Sequence, residues 1–199
     1  PTILAHGKSS EIVKIIDLLS EKDLLNSVEE CPTILAHGKS SEIVKIIDLL
    51  SEKDLLNFVK VCPYILAKGK SSEIVKIIDL LSKRDLLNCV KECPTILAKG
   101  KSDEIVKIID LLSKRDLLNC VEKCPSILAH GKSNKVSKIL DLLLEKDLLD
   151  LVRKCPTILV NVDFKQIERM LNKIETINGN INNVSPSLLL DYDRVCDIV

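Results

Sequence analysis

The sequence predicts an all-α fold, a helical-repeat solenoid wound as a superhelix of 31-residue units. Three observations predict it. Prolines recur at Pro1, Pro32, Pro63, Pro94, Pro125 and Pro156, a constant spacing of 31 residues, and the residues between them repeat almost letter for letter. A fixed period of about 20–50 residues marks a stacked array, because one such unit is too small to bury its own apolar face and must lean on its neighbours. Apolar residues follow helical spacing within each unit, and no stretch alternates with period two. Hydrophobic residues make up 46% of the chain and aromatics only 2%, so the core is aliphatic, built from Leu, Ile and Val.

Each unit reads as two helices plus a short proline-led helix. In the first, Gly7 ends one element, and Ser9 or Ser10 is the expected N-cap of the next. From Glu11 to Leu19 the apolar residues Ile12, Val13, Ile15, Ile16, Leu18 and Leu19 leave only a narrow polar stripe of Glu11, Lys14 and Asp17. That pattern describes a helix buried on most sides. Ser20-Glu21-Lys22-Asp23 is the break, with Ser20 placed to cap a second helix and an acid three residues on, close to a capping box. The second helix carries Leu24, Leu25, Val28 and Cys31 on one face and Asp23, Asn26, Glu29 and Glu30 on the other. Pro32 then starts a short helix through His37, ended by Gly38.

Residues 1–155 make five near-identical units. Residues 156–199 keep Pro156-Thr157-Ile158-Leu159 but replace the Gly-Lys-Ser run by Val162-Asp163-Phe164 and turn polar at Asn178-Gly179-Asn180. We read 156–199 as divergent C-terminal capping repeats, since terminal units must face water. The chain opens in mid-unit at Pro1, which leads us to expect further sequence upstream.

The net charge is zero, with 29 basic and 29 acidic side chains. Residues 1–62 carry 7 basic and 10 acidic groups, residues 63–155 carry 18 and 13, and residues 156–199 carry 4 and 6, so the middle of the array is its basic part. With no Trp and two each of Phe and Tyr, base stacking on aromatic platforms is not expected. Of the eight cysteines, Cys31, Cys62, Cys93, Cys124 and Cys155 each precede a proline. Cys89 and Cys120 share a position held elsewhere by Ser27, Phe58 and Leu151, which marks a packing slot. We expect neither a metal site nor disulfides, hence a reducing compartment. No run of about 18 apolar residues is present, so no membrane span is expected.

Gly-Lys-Ser recurs at Gly7-Lys8-Ser9, Gly38-Lys39-Ser40, Gly69-Lys70-Ser71, Gly100-Lys101-Ser102 and Gly131-Lys132-Ser133. Unpaired N–H groups at a helix start, a close-approaching glycine and a lysine together suit a phosphate oxygen, and one such loop per unit could track a nucleic-acid backbone. The plain alternative is capping by Gly and Ser with a solvated Lys. The loop is no nucleotide-hydrolysing motif, because the upstream glycine and strand are missing. A second ladder, Lys14, Lys45, Lys76, Lys107, Lys138 and Arg169, has an Asp three residues on in its first five members, as in Lys14/Asp17, and reads as surface ion pairs.

Two positions change together between units. The loop residue is His6, His37, Lys68, Lys99 and His130, and the inter-helix turn is Glu21-Lys22, Glu52-Lys53, Lys83-Arg84, Lys114-Arg115 and Glu145-Lys146. They are the candidate base-reading positions, and duplication of one ancestral pair of units is the plainer account of the pattern. Repetition spreads reactive groups out instead of converging them, so no enzyme activity and no cofactor are expected.

The proline followed by x-Ile/Leu-Leu, seen in Pro32, Ile34 and Leu35, with Ile43, Ile46, Ile47, Leu50, Leu55, Leu56, Val59 and Pro63 behind it, resembles the repeat of the mTERF family, the mitochondrial transcription termination factors and their organellar relatives. Leu151-Val152-Arg153-Lys154-Cys155-Pro156-Thr157-Ile158-Leu159 is the most similar stretch. The resemblance covers essentially the whole chain. It implies a solenoid that binds nucleic acid along a basic concave surface, in transcription regulation or RNA handling within mitochondria or another organelle. The near-identity of the units departs from that family and is similar instead to the bacterial TAL-effector-like DNA binders, although Leu18-Leu19 or Ser20-Glu21 fall where those place their base reader. The expected partner is nucleic acid, DNA ahead of RNA and double-stranded, bound by a monomer without a membrane. Contacts are expected from Lys8, Lys39, Lys70, Lys101, Lys132, His6, His37, Lys68, Lys99, His130, Lys83, Arg84, Lys114 and Arg115. The alternative is a protein-interaction scaffold.

Overall fold

A computed structural model of the chain describes residues 9–178. They form sixteen helices, and no strand occurs among them. The chain divides into two compact units, residues 1–102 and 103–199, taken separately below. In the first unit the helices are α1 (Ser9–Glu21), α2 (Asn26–Glu30), α3 (Thr33–His37), α4 (Ser40–Glu52), α5 (Asn57–Val61), α6 (Tyr64–Lys68), α7 (Ser71–Lys83), α8 (Asn88–Glu92) and α9 (Thr95–Lys99). Helix α10 (Ser102–Ser113) begins on the last residue of that unit. The second unit continues with α11 (Asn119–Lys123), α12 (Ser126–His130), α13 (Ser133–Glu145), α14 (Leu149–Lys154), α15 (Ile158–Asn161) and α16 (Phe164–Asn178).

The order of long helix, short helix and proline-led helix follows the expected one, with one shift. The second helix is a single turn starting at Asn26, and Ser20 does not cap it. Ser20 instead belongs to the end of α1. The Leu24 N–H donates to the Leu19 carbonyl at 2.8 Å, the Asp23 N–H donates to the Ser20 carbonyl at 3.2 Å, and Asp23 sits at φ 54°. This pair of bonds around a left-handed residue is the Schellman arrangement that closes a helix. It recurs at Asp54, Asp85, Asp116 and Asp147, all with φ between 52° and 57°. Aspartate fills a place usually taken by glycine, because its short polar side chain tolerates the left-handed conformation.

The Cys-Pro step breaks the chain between the two short helices. Cys31 lies at φ −135°, ψ 74°, outside the helical region that a following proline disfavours, and Pro32 at φ −58° is set for the next helix. Gly38 ends α3 in an extended conformation, so its φ of −65° is open to any residue. Glycine is required there by space: a Cβ would strike the Ile34 carbonyl and stand 2.8 Å from Ile43 Cδ1.

Equivalent helices pack on each other. In the first unit α1 packs on α4 and α4 on α7, α2 on α5, α3 on α6 and α6 on α9. In the second, α13 packs on α16, α12 on α15 and α11 on α14. Ile43, Ile46, Ile47 and Leu50 of α4 are fully buried, as are Ile139, Leu140 and Leu143 of α13. Each such side chain contributes about 1.5–3 kcal/mol relative to exposure, while one isolated helix of this length is marginal in water. The outer face of the long helix is wider than the narrow polar stripe expected, because Val13, Val44 and Val75 are exposed beside it. The ladder of Lys14 and its counterparts also pairs differently. Lys14, Lys76 and Lys107 reach back to Glu11, Glu73 and Glu104 at 3.7, 3.1 and 3.5 Å.

The left-handed aspartate is directly testable. Asp54→Val should destabilise the chain by about 1–2 kcal/mol, the cost of forcing a β-branched residue into that conformation, whereas Asp54→Gly should be neutral or slightly stabilising. The urea midpoints of the two variants decide it.

Candidate nucleic-acid interface

The Gly-Lys-Ser loops at Gly38, Gly69 and Gly131 each lead into a long helix, and the residue at the cap is the lysine. Lys39, Lys70 and Lys132 occupy the N-cap in extended conformation, with φ between −109° and −117°, and no side chain of their own loop caps the helix. The serine cap expected from the sequence is therefore absent. The cap comes from a distant carboxylate. Glu11 accepts the Ser40 N–H at 3.1 Å, Glu42 the Ser71 N–H at 2.6 Å, Glu73 the Ser102 N–H at 3.0 Å, and Glu104 the Ser133 N–H at 2.7 Å. Ser102 adds its hydroxyl to Glu73 at 2.9 Å. The separation is 29 residues in every case, so a side chain near the start of one long helix caps the start of the next.

These bonds hold the carboxylates ionised. The backbone N–H of Ser102, then its hydroxyl, then Lys76, lower Glu73 to a pKa of about 2. Glu11, Glu42 and Glu104 shift in the same direction, each chiefly through the serine it caps. A carboxylate at the positive end of a helix gains both from the N–H bond and from the helix dipole. The N–H groups that the sequence reading left open for a phosphate are thus already partly occupied.

The relay stops at the fifth proline-led repeat. Lys135 stands where Glu104 stands one period earlier, and it donates to the Val160 carbonyl at 2.6 Å. Its burial lowers its pKa, an effect opposed by nearby Asp163. The next long helix, α16, caps itself: the Lys165 N–H donates to Asp163 Oδ1 at 2.9 Å and the Asp163 N–H donates to Gln166 Oε1 at 3.1 Å. That reciprocal pair is a capping box. Phe164 replaces the serine that the other loops present.

Four of the expected contact residues come together. His37, Lys39, Lys68 and Lys70 line one open groove of about 620 Å³ in the first unit, with Gly38, Gly69, Ser41 and Ser72. The only acid in its lining is Glu42, already bonded to Ser71. All four basic side chains are exposed. Lys99 is also exposed, but its Nζ lies 5.8 Å from the centre of the Tyr64 ring. Lys101 and Lys132 are exposed in their loops, His130 is exposed at the end of α12, and Lys83 and Arg84 are exposed at the end of α7, outside the groove. In the second unit Lys114 shares a smaller groove of about 450 Å³ with Lys107, Asp110 and Ser133. Arg115 is committed to structure: its guanidinium pairs with Asp141 at 2.5 Å and donates to the Leu111 carbonyl at 3.2 Å. His6 and Lys8 lie outside the described residues.

Leu19, one of the residues at the TAL-like reading position, is fully buried in the first unit. The cysteines serve local packing. Cys31, Cys93, Cys124 and Cys155 each place Sγ within 3.0–3.2 Å of the hydroxyl two residues on, while Cys89 and Cys120 are buried. The seven described cysteines are free thiols, and no cluster of metal-ligating side chains occurs among the described residues. No described helix is long and apolar enough to cross a membrane.

The sequence reading passed over the glutamates. A signal was present: Glu holds this position while the following unit has its loop serine, and it becomes Lys135 where the following unit has Phe164. Glu73→Gln should cost about 1 kcal/mol at neutral pH, a usual cap value kept low because the side chain is 31% exposed. Because its folded pKa is depressed, Glu73 contributes stability above the unfolded value near 4.5 and loses it as pH falls towards 2. Urea midpoints taken across that window should therefore fall less steeply for Glu73→Gln than for the parent chain. At the end of the relay, Asp163→Ala should cost about 1 kcal/mol by removing the box, read by thermal melting. Compared with protein-family models, with curated proteins and with solved structures, the chain matches none at a significant level.

Proposed function

We propose that the chain is an mTERF-like solenoid of 31-residue units that binds nucleic acid through the side chains of its loops, with double-stranded DNA ahead of RNA. The observation that carries this reading is the groove in which His37, Lys39, Lys68 and Lys70 meet, facing a single carboxylate that is already bonded to backbone. Lysines on exposed loops neutralise phosphates without reading sequence, so they supply affinity and register along a backbone. The glutamate relay refines the mechanism. Helix starts hold a carboxylate of the neighbouring module, so phosphates would meet the ammonium and imidazole groups above those starts instead of the N–H groups themselves. Binding of this kind is electrostatic and only weakly sequence-selective.

The test is fluorescence anisotropy with a mixed-sequence duplex and a mixed single strand across a salt series. Each duplex phosphate contact adds about 0.9 to the slope of log affinity against log salt, so Lys39→Glu with Lys70→Glu should weaken binding at least about tenfold and flatten the slope by about 2. Affinity independent of salt, or unchanged in that double variant, overturns the reading. A second reading, a protein-interaction scaffold, is favoured by the exposed valines Val13, Val44 and Val75 on the long helices. It requires partner binding that survives the lysine changes and is lost on replacing those valines by serine.

A further inference from the structure

One exposed position at the start of the long helices changes its charge along the series. Read every 31 residues, it holds Ser10, Ser41, Ser72, Asp103, Asn134 and Lys165. The side chain is exposed in all six places, so packing does not choose the residue. What the position faces is visible in the first unit. Ser41 and Ser72, its occupants on α4 and α7, both line the groove that holds His37, Lys39, Lys68 and Lys70. A hydroxyl there can donate to a phosphate oxygen, whereas a carboxylate repels one. Asp103 brings that carboxylate to the first turn of α10, two residues beyond Lys101. The loop ahead of it, Lys99-Gly100-Lys101, carries the same two lysines as Lys68-Gly69-Lys70. Its positive charge is therefore offset where that of the earlier loop is not.

We propose that Asp103 is a negative determinant of phosphate binding, which weakens contact at the Lys99-Gly100-Lys101 loop and concentrates it on the groove lined by Ser41 and Ser72. This inference rests on the nucleic-acid reading above and narrows it. Charge composition alone centres the interface on residues 63–155, the basic stretch. One carboxylate at a groove-facing position shifts that centre to the loops of residues 37–41 and 68–72. An exposed carboxylate acts mostly on a phosphate held by its own loop, since screening sets in over about 8–10 Å. The helix itself has little need of Asp103. A carboxylate in the first turn stabilises a helix, but α10 already carries Glu104 there, as α4 and α7 carry Glu42 and Glu73. Helix α13 forms its 13 residues with no acid in its first turn.

The test measures duplex binding by anisotropy across a salt series for the full chain and for Asp103→Ser, which installs the residue of the sister modules. Affinity should rise at least about threefold at low salt, and the slope of log affinity against log salt should steepen by about 0.9, the value of one phosphate contact. Lys101→Gln should cost less than about twofold in the parent and at least about threefold in the Asp103→Ser background, where the carboxylate no longer offsets it. In the opposite direction, Ser72→Asp should weaken binding at least about threefold. Glu92→Ser removes the same charge from the exposed surface of α8, outside the groove, and should leave affinity within about 1.5-fold. Melting midpoints of Asp103→Ser and the parent should agree within about 2 °C. An Asp103→Ser chain that binds no tighter than Glu92→Ser overturns the proposal, as does a Lys101→Gln cost that is equal in both backgrounds. A lower melting midpoint with unchanged binding also overturns it, since Asp103 would then serve the helix alone. Duplex binding that ignores salt, or ignores Lys39→Glu with Lys70→Glu, overturns the nucleic-acid reading and this inference with it.

Discussion

One carboxylate-to-backbone bond recurs through this protein and most of its order depends on it. A glutamate near the start of one long helix accepts the N–H at the start of the next, 29 residues on, in four successive places. The bond does two jobs. It satisfies a donor that every helix start leaves open, and it sets the height of one long helix against the next. Isoleucines packed between stacked helices supply most of the stabilising energy, but a layer of similar aliphatic side chains tolerates sliding. A charged hydrogen bond at a fixed place does not, because its strength depends on distance and angle.

The same bond shapes what the loops can do. A Gly-Lys-Ser loop at a helix start looks like an anion site, yet here the anion is built in. What remains for an external ligand is the side-chain layer above, where His37, Lys39, Lys68 and Lys70 crowd one groove. Not every basic residue near the turns is available in this way. Arg115 is tied to Asp141, and Lys146 is tied to Glu175 at 2.5 Å, so part of the turn charge holds helices together. The joint change of loop and turn residues between sister units therefore has a structural component in the turn and a surface component in the loop.

The series ends by exchanging partners. Where the next loop no longer presents its serine, glutamate gives way to Lys135, which bonds a carbonyl, and α16 takes its cap from Asp163 and Gln166. A carboxylate left at position 135 would have faced the like charge of nearby Asp163. These changes lie up to 31 residues apart in sequence, from Lys135 to Gln166, and contact between successive repeats explains why they occur together.

The period and the amphipathic helices were legible in the residues alone, because a proline every 31 positions and a 3.6-residue rhythm of Ile and Leu each have a local cause. So were the break at each Cys-Pro step, the helix end at each loop glycine, and the packing role of Cys89 and Cys120. The residues could not say which group would cap each helix. Ser20 and Ser40 both carry good local capping chemistry, but Asp23 took the left-handed turn and Glu11 took the cap. Nor could they say whether Lys14 would choose Glu11 or Asp17, each three residues away. Those choices depend on what the neighbouring module brings within hydrogen-bonding reach, and only the tertiary structure places a side chain beside a partner 29 residues distant.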